Sequence, residues 1–307
     1  MCRRLLRDEE RDLGRTILIA GAPRSGTTWL AELLESSLSA RLMFEPFHAR
    51  LVPEFGYLAP FSYLRPDDVD DRLFESCHRV FDGSLRNAWV DKNLTTVRPR
   101  CRIVKSVRSN LMLAWLLHRF AEISNIFVLR HPCAVVLSRM HYGWNAEDDL
   151  ASMLGQPRLV EDHLSPYLER IQSATTTEEK HAILWCITNL VPLRQLGHET
   201  LKPLYYEHLY SDRANVLKVL GQAVRRDLGN APQTASERPS RTTTSLSPIL
   251  RGDDNLRRWQ RELSADAVRR ILDLVAAFEL DWLYGAGLMP MCAGVAANIP
   301  TLSRNAP

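Results

Sequence analysis

The chain has 307 residues, of which 45% are hydrophobic and 24% charged, an ordinary globular composition. Its net charge of +3 is too small to favour nucleic acid or a membrane surface as the main partner. The first residues, "MCRRLLRDEERDLGR", carry charge at both ends and no apolar centre, so we expect neither a signal peptide nor an anchor. No later apolar run reaches the length of a transmembrane helix, so we expect no integral membrane segment.

The cysteines are scattered along the chain without any C-x-x-C spacing: Cys2, Cys77, Cys101, Cys133, Cys186 and Cys292. Isolated thiols in a chain of this length are typical of a reducing compartment. We therefore expect a cytoplasmic protein. No pattern in the sequence predicts an oligomeric state.

A strand, a loop and a helix follow one another near the N-terminus. Residues 16–20, "TILIA", are apolar and β-branched, as in a buried parallel strand. The stretch "GAPRSGTTWL" at 21–30 then shows G-x-x-x-x-G spacing, followed by leucines at helical intervals. Loop amides at a helix N-terminus bind anions. A nucleoside triphosphatase has lysine where this chain has Thr27, and the cation here is Arg24, so we expect an isolated phosphate rather than a magnesium-bound triphosphate.

A second candidate anion site lies further along the chain. Residues 100–106, "RCRIVKS", and 125–130, "NIFVLR", have strand character, and the latter is followed by a helix. Arg130 ends its strand, and Ser138 lies eight residues on, so both can converge on a second phosphate. Alternatively, Arg130 binds a carboxylate and Ser138 only faces the helix before it.

The alternation of strands and helices predicts one α/β domain, with a mainly parallel sheet covered by helices on both faces. A further strand is expected at 202–209, "KPLYYEHL", and a final helix after Ser264. We predict an N-terminal extension at 1–15, one domain at 16–284 and a C-terminal tail at 285–307. Within the domain, we expect a helical acceptor or lid region at 145–190 and a flexible loop at 231–255.

Both anion motifs resemble those of the PAPS-dependent sulfotransferase superfamily, which has a P-loop-like fold. "APRSGTTWL" resembles its 5′-phosphosulfate loop, and "LRHPCAVVLS" resembles its 3′-phosphate motif, with arginine and serine at the same separation. Shorter stretches are similar to further elements in family order. "FEPFH" is similar to the F-E-P element of carbohydrate-type members, and "LYYEHL" is similar to the Y-E-D element. "RIVKS" is similar to the segment that carries a lysine, and "LRRWQRELSADAVRRI" is similar to the closing tryptophan and helix. The resemblance spans about residues 16–283.

The resemblance implies a donor, 3′-phosphoadenosine 5′-phosphosulfate (PAPS), and no metal. It implies that the 5′-phosphate is held by Arg24, Ser25, Gly26, Thr27 and Thr28. Trp29 occupies the position that stacks on adenine, although core packing would also explain a tryptophan there. The 3′-phosphate is expected at Arg130 and Ser138, with Tyr206 against the adenine and Arg251 closing over the 3′-phosphate.

The resemblance also implies a lysine near the transferred group, which is Lys105 here, unless that side chain is a solvated surface charge. Cytosolic small-molecule members have a histidine two residues later, where this chain has Val107. Carbohydrate and tyrosyl-type members use a glutamate as base, so we expect Glu45 as the general base, with a pKa raised by partial burial. His48 is the substitute. Alternatively, Glu45 pairs with a nearby arginine and only orders its loop.

These inferences predict a sulfotransferase that acts on a hydroxyl of a sugar, lipid or natural product, and thus a small-molecule or carbohydrate partner. A nucleotide-dependent kinase and a non-catalytic nucleotide-binding relative are the alternatives. Residues 49–90 and 145–185 match no motif, and we expect them to supply the acceptor pocket. Aromatic and histidine side chains in and near them either line that pocket or pack in the core: Phe55, Tyr57, Phe61, Tyr63, His141, Tyr142 and Trp144.

Overall fold

The computed structural model describes residues 5–211, 213–224, 226, 228 and 255–291. Arg251, nearly all of the predicted loop at 231–255 and the end of the predicted tail lie outside these residues. Four cysteines within them are free and buried: Cys77, Cys101, Cys133 and Cys186. No helix in this part of the chain is long and apolar enough to cross a membrane.

The sheet of the described residues has five strands in the order β2-β3-β1-β4-β5, and every neighbouring pair is parallel. The strands are β1 (Thr16–Gly21), β2 (Arg41–Phe44), β3 (Arg102–Ser106), β4 (Ser124–Leu129) and β5 (Leu204–Tyr205). The predicted parallel sheet is therefore confirmed. The last strand is shorter than predicted because the chain enters a helix at His208.

Thirteen α-helices lie among the remaining described residues. They are α1 (Thr27–Leu38), α2 (Asp71–Phe81), α3 (Leu113–Arg119), α4 (Pro132–His141), α5 (Ala146–Leu154), α6 (Pro157–Leu159), α7 (Leu168–Gln172), α8 (Thr177–Leu196), α9 (His198–Leu201), α10 (His208–Ser211), α11 (Arg213–Ala223), α12 (Arg258–Glu262) and α13 (Ala265–Ala277). Ser264 caps α13 by accepting a hydrogen bond from the backbone N–H of Ala267, as expected for a serine at a helix start.

Alternate residues of the strands face opposite sides of the sheet, and each side has its own core. On one side, Leu18 and Ala20 of β1 pack in a core with buried residues of α4, α8 and α13. On the other side, Ile17 and Ile19 pack in a core with residues of α1 and α11. A parallel sheet buried on both faces is the α/β architecture that the sequence predicts.

The residues before β1 are joined to the sheet by buried ion pairs. Asp8 is 4% exposed, and its carboxylate pairs with Arg41 at 2.9 Å and with Arg102 at 3.4 Å. Arg41 also binds Asp91 at 2.9 Å, so its guanidinium is fully compensated although it is buried. The division of the chain into extension, domain and tail stays a prediction.

Candidate active site

The carboxyl ends of the five strands border one cleft with a volume of about 300 Å³. This is the edge of a parallel α/β sheet at which ligands generally bind. The candidate residues that line the cleft are Arg24, Gly26, Thr27, Thr28, Trp29, Glu45, His48, Lys105, Arg130, Ser138 and Tyr206. The fold therefore gathers into one place residues that are far apart in the sequence.

The glycine-containing loop between β1 and α1 leaves hydrogen-bond donors open to a ligand. Ser25 donates its backbone N–H to Ala22 O at 3.1 Å, which tightens the turn. The helix α1 then begins at Thr27 without a side-chain cap, so the N–H groups of its first turn are available to an anion at the helix N-terminus. Ser25 is 1% exposed, and its hydroxyl has no hydrogen-bond partner among the described residues.

Gly26 is required by the geometry of this loop. Its φ is +91°, in the left-handed region that favours glycine. A Cβ at this position would lie 2.4 Å from two ring carbons of Tyr206. The absence of a side chain thus lets the loop approach the tyrosine that the sequence places against adenine.

Arg24 connects the two predicted anion motifs. Its Nε donates to the Ser138 hydroxyl at 3.0 Å, and its guanidinium lies 3.8 Å from the centroid of the Tyr142 ring. Its φ is +73°, a strained conformation for a residue with a side chain. Burial lowers the pKa of Arg24, and Tyr142 opposes that effect. No carboxylate of the described residues forms an ion pair with it, so these residues leave its charge uncompensated.

Arg130 follows β4 and reaches into the same cleft. It is 7% exposed, and it donates to Arg24 O at 3.0 Å and to Asn255 Oδ1 at 3.2 Å. Its Nε has no partner among the described residues, and no described carboxylate pairs with it. The alternative that Arg130 binds a carboxylate is therefore not found in this part of the chain. The guanidinium also lies 4.4 Å from the ring centroid of Tyr206, whose hydroxyl accepts from Asn255 Nδ2 at 2.9 Å.

Buried hydrogen bonds fix the turn that carries Arg130. Trp185 donates its indole N–H to Arg130 O at 3.0 Å. Glu207 accepts from the backbone N–H of His131 at 2.9 Å and from the Tyr284 hydroxyl at 2.7 Å. Burial raises the pKa of Glu207, and these donors oppose the increase. The Y-E-H stretch thus contributes an anchor as well as a ring to the cleft.

Trp29 combines the two interpretations that the sequence left open for it, and Tyr206, the other predicted adenine contact, is placed in the same way. Trp29 is 8% exposed and packs in the core on the α1 side of the sheet, and it also lines the cleft. Tyr206 is 2% exposed and does the same. Both rings are therefore held rigidly by the core while part of each borders the ligand space.

Glu45 and Lys105 form a buried pair at the other half of the cleft. Lys105 lies in β3 and donates from Nζ to Glu45 Oε1 at 2.5 Å. The backbone N–H of Val107 donates to both carboxylate oxygens at 3.2 Å, and Arg108 donates to Oε2 at 3.3 Å. Because Glu45 and Lys105 are 3% and 4% exposed, the alternative that Lys105 is a solvated surface charge is wrong.

The expectation that burial raises the pKa of Glu45 is also wrong. Burial by itself raises the pKa, but the charges of Lys105 and Arg108 and the hydrogen bonds from Lys105 and Val107 hold it below its usual value. Glu45 is therefore ionised at neutral pH, and the predicted pairing with an arginine is present. Its φ of +46° places it in the left-handed region. The role of Glu45 as the general base stays a prediction.

His48, the substitute base, lies beside Glu45. Its backbone N–H donates to Glu45 O at 3.3 Å, and its ring meets Trp89 edge-to-face at a centroid distance of 5.7 Å. Burial and the nearby Arg108 lower the pKa of His48, so its imidazole is neutral at pH 7 and can accept a proton. The nitrogen Nδ1 has no hydrogen-bond partner among the described residues.

The aromatic and histidine side chains in and near the unassigned regions divide into two groups. Phe55, Phe61 and Tyr63 are buried in the core, and Tyr57 contacts Arg72 through its ring. The later group does line the cleft: His141, Tyr142 and Trp144. Among the lining residues that the sequence did not single out are Trp89, Arg108, Asn255 and Arg258.

Within the described residues, no group of three or more His, Cys, Asp or Glu side chains is placed to hold a metal ion. The candidate anion-binding residues share one cleft of an α/β fold. The cleft combines a helix N-terminus with two arginines that form no ion pair with any carboxylate of the described residues. The profile of the Sulfotransferase family matches residues 16–225, and the chain belongs to that family.

No curated protein matches this chain in sequence. Among solved structures, it is similar to the sulfotransferase domain from the curacin biosynthetic pathway, with 18% identity, a TM-score of 0.46 and coverage of 85% of this chain and 96% of that one. The sulfotransferase domain of the Synechococcus PCC 7002 olefin synthase shows 17% identity, a TM-score of 0.44 and coverage of 85% and 94%. A sulfotransferase from Alicyclobacillus acidocaldarius shows 15% identity, a TM-score of 0.38 and coverage of 86% and 98%.

Proposed function

We propose that the protein transfers a sulfuryl group from PAPS to a hydroxyl of a small-molecule or carbohydrate acceptor. The observation that carries the proposal is the pair Arg24 and Arg130. Both guanidinium groups are removed from much of the solvent, converge on one cleft and lack a carboxylate partner among the described residues. Buried charges are normally paired, so a ligand with two separate anionic groups fits this arrangement.

The residues present fit the donor at both phosphates. The open amides of the α1 N-terminus and Arg24 are suited to the 5′-phosphosulfate, and the unpartnered Arg130 Nε and the Ser138 hydroxyl are suited to the 3′-phosphate. Trp29 and Tyr206 offer ring surface for the adenine. When bound, the donor supplies a sulfuryl group on a stable phosphate leaving group.

In the proposed step, the acceptor hydroxyl oxygen forms a bond to sulfur, and the bond from sulfur to the bridging oxygen breaks. The electron pair remains on the 5′-phosphate, where Arg24 and the loop amides oppose the increasing negative charge. Lys105 lines the same cleft, and it can donate a second N–H to the same oxygen while it keeps its bond to Glu45. The hydroxyl proton passes to Glu45, with His48 as the alternative acceptor, and adenosine 3′,5′-bisphosphate is released.

Thermal unfolding with nucleotides tests the donor assignment. Adenosine 3′,5′-bisphosphate without magnesium should stabilise the protein, by about 2.7 kcal/mol at a ligand concentration of 100 Kd. Adenosine 5′-phosphate should stabilise it much less at the same concentration. Stabilisation by Mg-ATP alone would instead support the kinase alternative and contradict the proposal.

A further inference from the structure

The strand order separates the cleft into two halves. The first half is formed by residues that follow β1, β4 and β5, namely Arg24, Arg130 and Tyr206. The second half is formed by residues that follow β2 and β3, namely Glu45 and Arg108, toward the other end of the strand order. We call the second group, with its neighbours Phe44, His48, Trp89 and Val107, the acceptor half. This assignment rests on the proposed function, because the donor occupies the first half.

Cations outnumber carboxylates in and beside the acceptor half. Glu45 pairs with both Lys105 and Arg108. Lys92 adds a third cation, with its ammonium 3.5 Å from the Trp89 ring centroid and 4.0 Å from that of Phe44. No described carboxylate forms an ion pair with Lys92. A ligand that brings negative charge is therefore favoured here.

Arg108 is the cation best placed to bind such a ligand. Its side chain is 27% exposed, and NH1 makes one 3.3 Å contact with Glu45 Oε2. Its remaining guanidinium N–H groups have no partner among the described residues, although an arginine carries five donors. Asp149, another acid near Arg108, is already bound by Arg139 at 2.8 Å.

The same contact obstructs Glu45 as a base. A carboxylate has about four lone-pair sites. Oε1 accepts from Lys105 and from the Val107 N–H, and Oε2 accepts from the same N–H and from Arg108, so these contacts occupy all four sites. An arriving hydroxyl must therefore displace one donor. Lys105 and Val107 are buried and fixed, so the exposed and longest contact, that of Arg108, is the one that can be given up.

We propose that the acceptor is a hydroxylated anion whose carboxylate or phosphate group binds Arg108 and draws it away from Glu45. The acceptor hydroxyl then takes the vacated site on Oε2 and gives its proton to that oxygen as its own oxygen bonds to sulfur. Because Arg108 and Glu45 are in contact, only a few atoms separate the hydroxyl from the anionic group. Apolar atoms of the acceptor face Phe44, Trp89 and Val107.

The two members of each probe pair share the phenyl ring and the secondary acceptor hydroxyl, and they differ at the anionic group. One pair is 3-hydroxy-3-phenylpropanoate and its methyl ester; the other is 2-hydroxy-2-phenylethyl phosphate and the parent diol, 1-phenylethane-1,2-diol. Sulfuryl transfer from labelled PAPS and equilibrium binding in the presence of adenosine 3′,5′-bisphosphate are both measured with the full chain. We expect at least one anionic member to exceed its neutral partner by roughly tenfold or more in kcat/KM and in affinity.

The variant Arg108→Gln should abolish that preference: the ratio of kcat/KM for the anionic member to kcat/KM for its neutral partner falls by roughly tenfold or more. Arg269→Gln is the matched control, since Arg269 is 66% exposed on α13 and pairs with Asp266. Lys92→Gln, compared with Lys218→Gln on α11, provides a second test on a cation that does not touch Glu45. It should lower the same ratio, whereas Lys218→Gln should leave the ratio unchanged.

Three results would overturn the inference. They are equal use of the neutral and anionic members, an equal loss for both in Arg108→Gln, and a failure of all four probes to bind or react. Binding of adenosine 3′,5′-bisphosphate is measured in the same samples. If the bisphosphate binds, these results reject the anionic acceptor and leave the donor assignment intact; if it does not bind, the proposed function itself fails.

Discussion

Arg24 donates from Nε to the hydroxyl of Ser138 at 3.0 Å, although the two residues are 114 positions apart. This bond joins the loop after β1 to the helix after β4, the two stretches in which the sequence predicts separate anion sites. The two sites are therefore parts of one cleft. A ligand with anionic groups at both of its ends can contact both arginines of that cleft.

Glu45→Gln is expected to lower kcat by about 10²- to 10⁴-fold, the usual effect of losing a general base. The affinity for adenosine 3′,5′-bisphosphate should stay near native, because Glu45 lies in the other half of the cleft. Steady-state kinetics and nucleotide titration measure the two quantities. Glu122→Gln, at an exposed position, is the control. Near-native turnover in Glu45→Gln combined with a large loss in His48→Gln would assign the base to His48 instead.

Arg130→Ala should weaken binding of adenosine 3′,5′-bisphosphate by about 1.5–3 kcal/mol, the contribution of a hydrogen bond to a charged group. Binding of adenosine 5′-phosphate should change much less, because that ligand lacks the group assigned to Arg130. Calorimetric titration of both nucleotides gives the difference directly. An equal loss for the two ligands would show that Arg130 acts on the shape of the loop through Arg24 O rather than on the 3′-phosphate.

Gly26→Ala should destabilise the protein and reduce donor binding. The new Cβ would meet the Tyr206 ring at 2.4 Å, and alanine at a φ of +91° is strained by about 1–3 kcal/mol. Gly143→Ala is the control: Gly143 has a φ of +61°, and a Cβ added there would meet nothing within 4 Å, so the variant carries the strain of a positive φ without the clash. Chemical denaturation should show a larger loss for Gly26→Ala. Equal losses would argue against the contact with Tyr206.

The stability contributed by Glu45 should depend on pH in the acid range. Its folded-state pKa lies below the usual 4.5, so its contribution is fully present above pH 4.5 and is lost as the pH falls through the lower folded-state value. At pH 7, Glu45→Gln leaves the buried Lys105 without its partner, which typically costs about 3–5 kcal/mol. Urea unfolding of both proteins from about pH 7 to about pH 3 should show this difference shrinking in acid. A difference that grows in acid would mean that the folded-state pKa is raised.

The sequence predicts the sheet and the phosphate loop well because their signals are contiguous. The strand, the loop and the helix of residues 16–38 follow one another directly, and Arg130 lies just before α4 while Ser138 lies within it. The lowered pKa of Glu45 could not be predicted in this way. Its partners Lys105 and Arg108 lie 60 and 63 positions later in the chain, and only the pairing of β2 with β3 brings them together.

The burial of individual aromatic side chains could not be predicted from the sequence either. Phe55 and Trp144 both lie outside the recognisable motifs, and only tertiary packing buries the first and places the second at the cleft. Asn255 gave no signal because a single asparagine in a polar stretch is common. Its contacts with Arg130 and Tyr206 appear only in the folded chain. Arg251 lies outside the described residues, so its predicted role stays a prediction.

Transfer of radioactive sulfur from PAPS is the most direct test of the central claim. The purified protein is incubated without added metal with labelled PAPS and hydroxylated acceptors, including the anionic probes. The account predicts a labelled sulfate ester, one adenosine 3′,5′-bisphosphate released for each ester formed, and a large loss of both products in Glu45→Gln. Tight binding of the bisphosphate without transfer to any acceptor would contradict it and identify the chain as a non-catalytic member of its family.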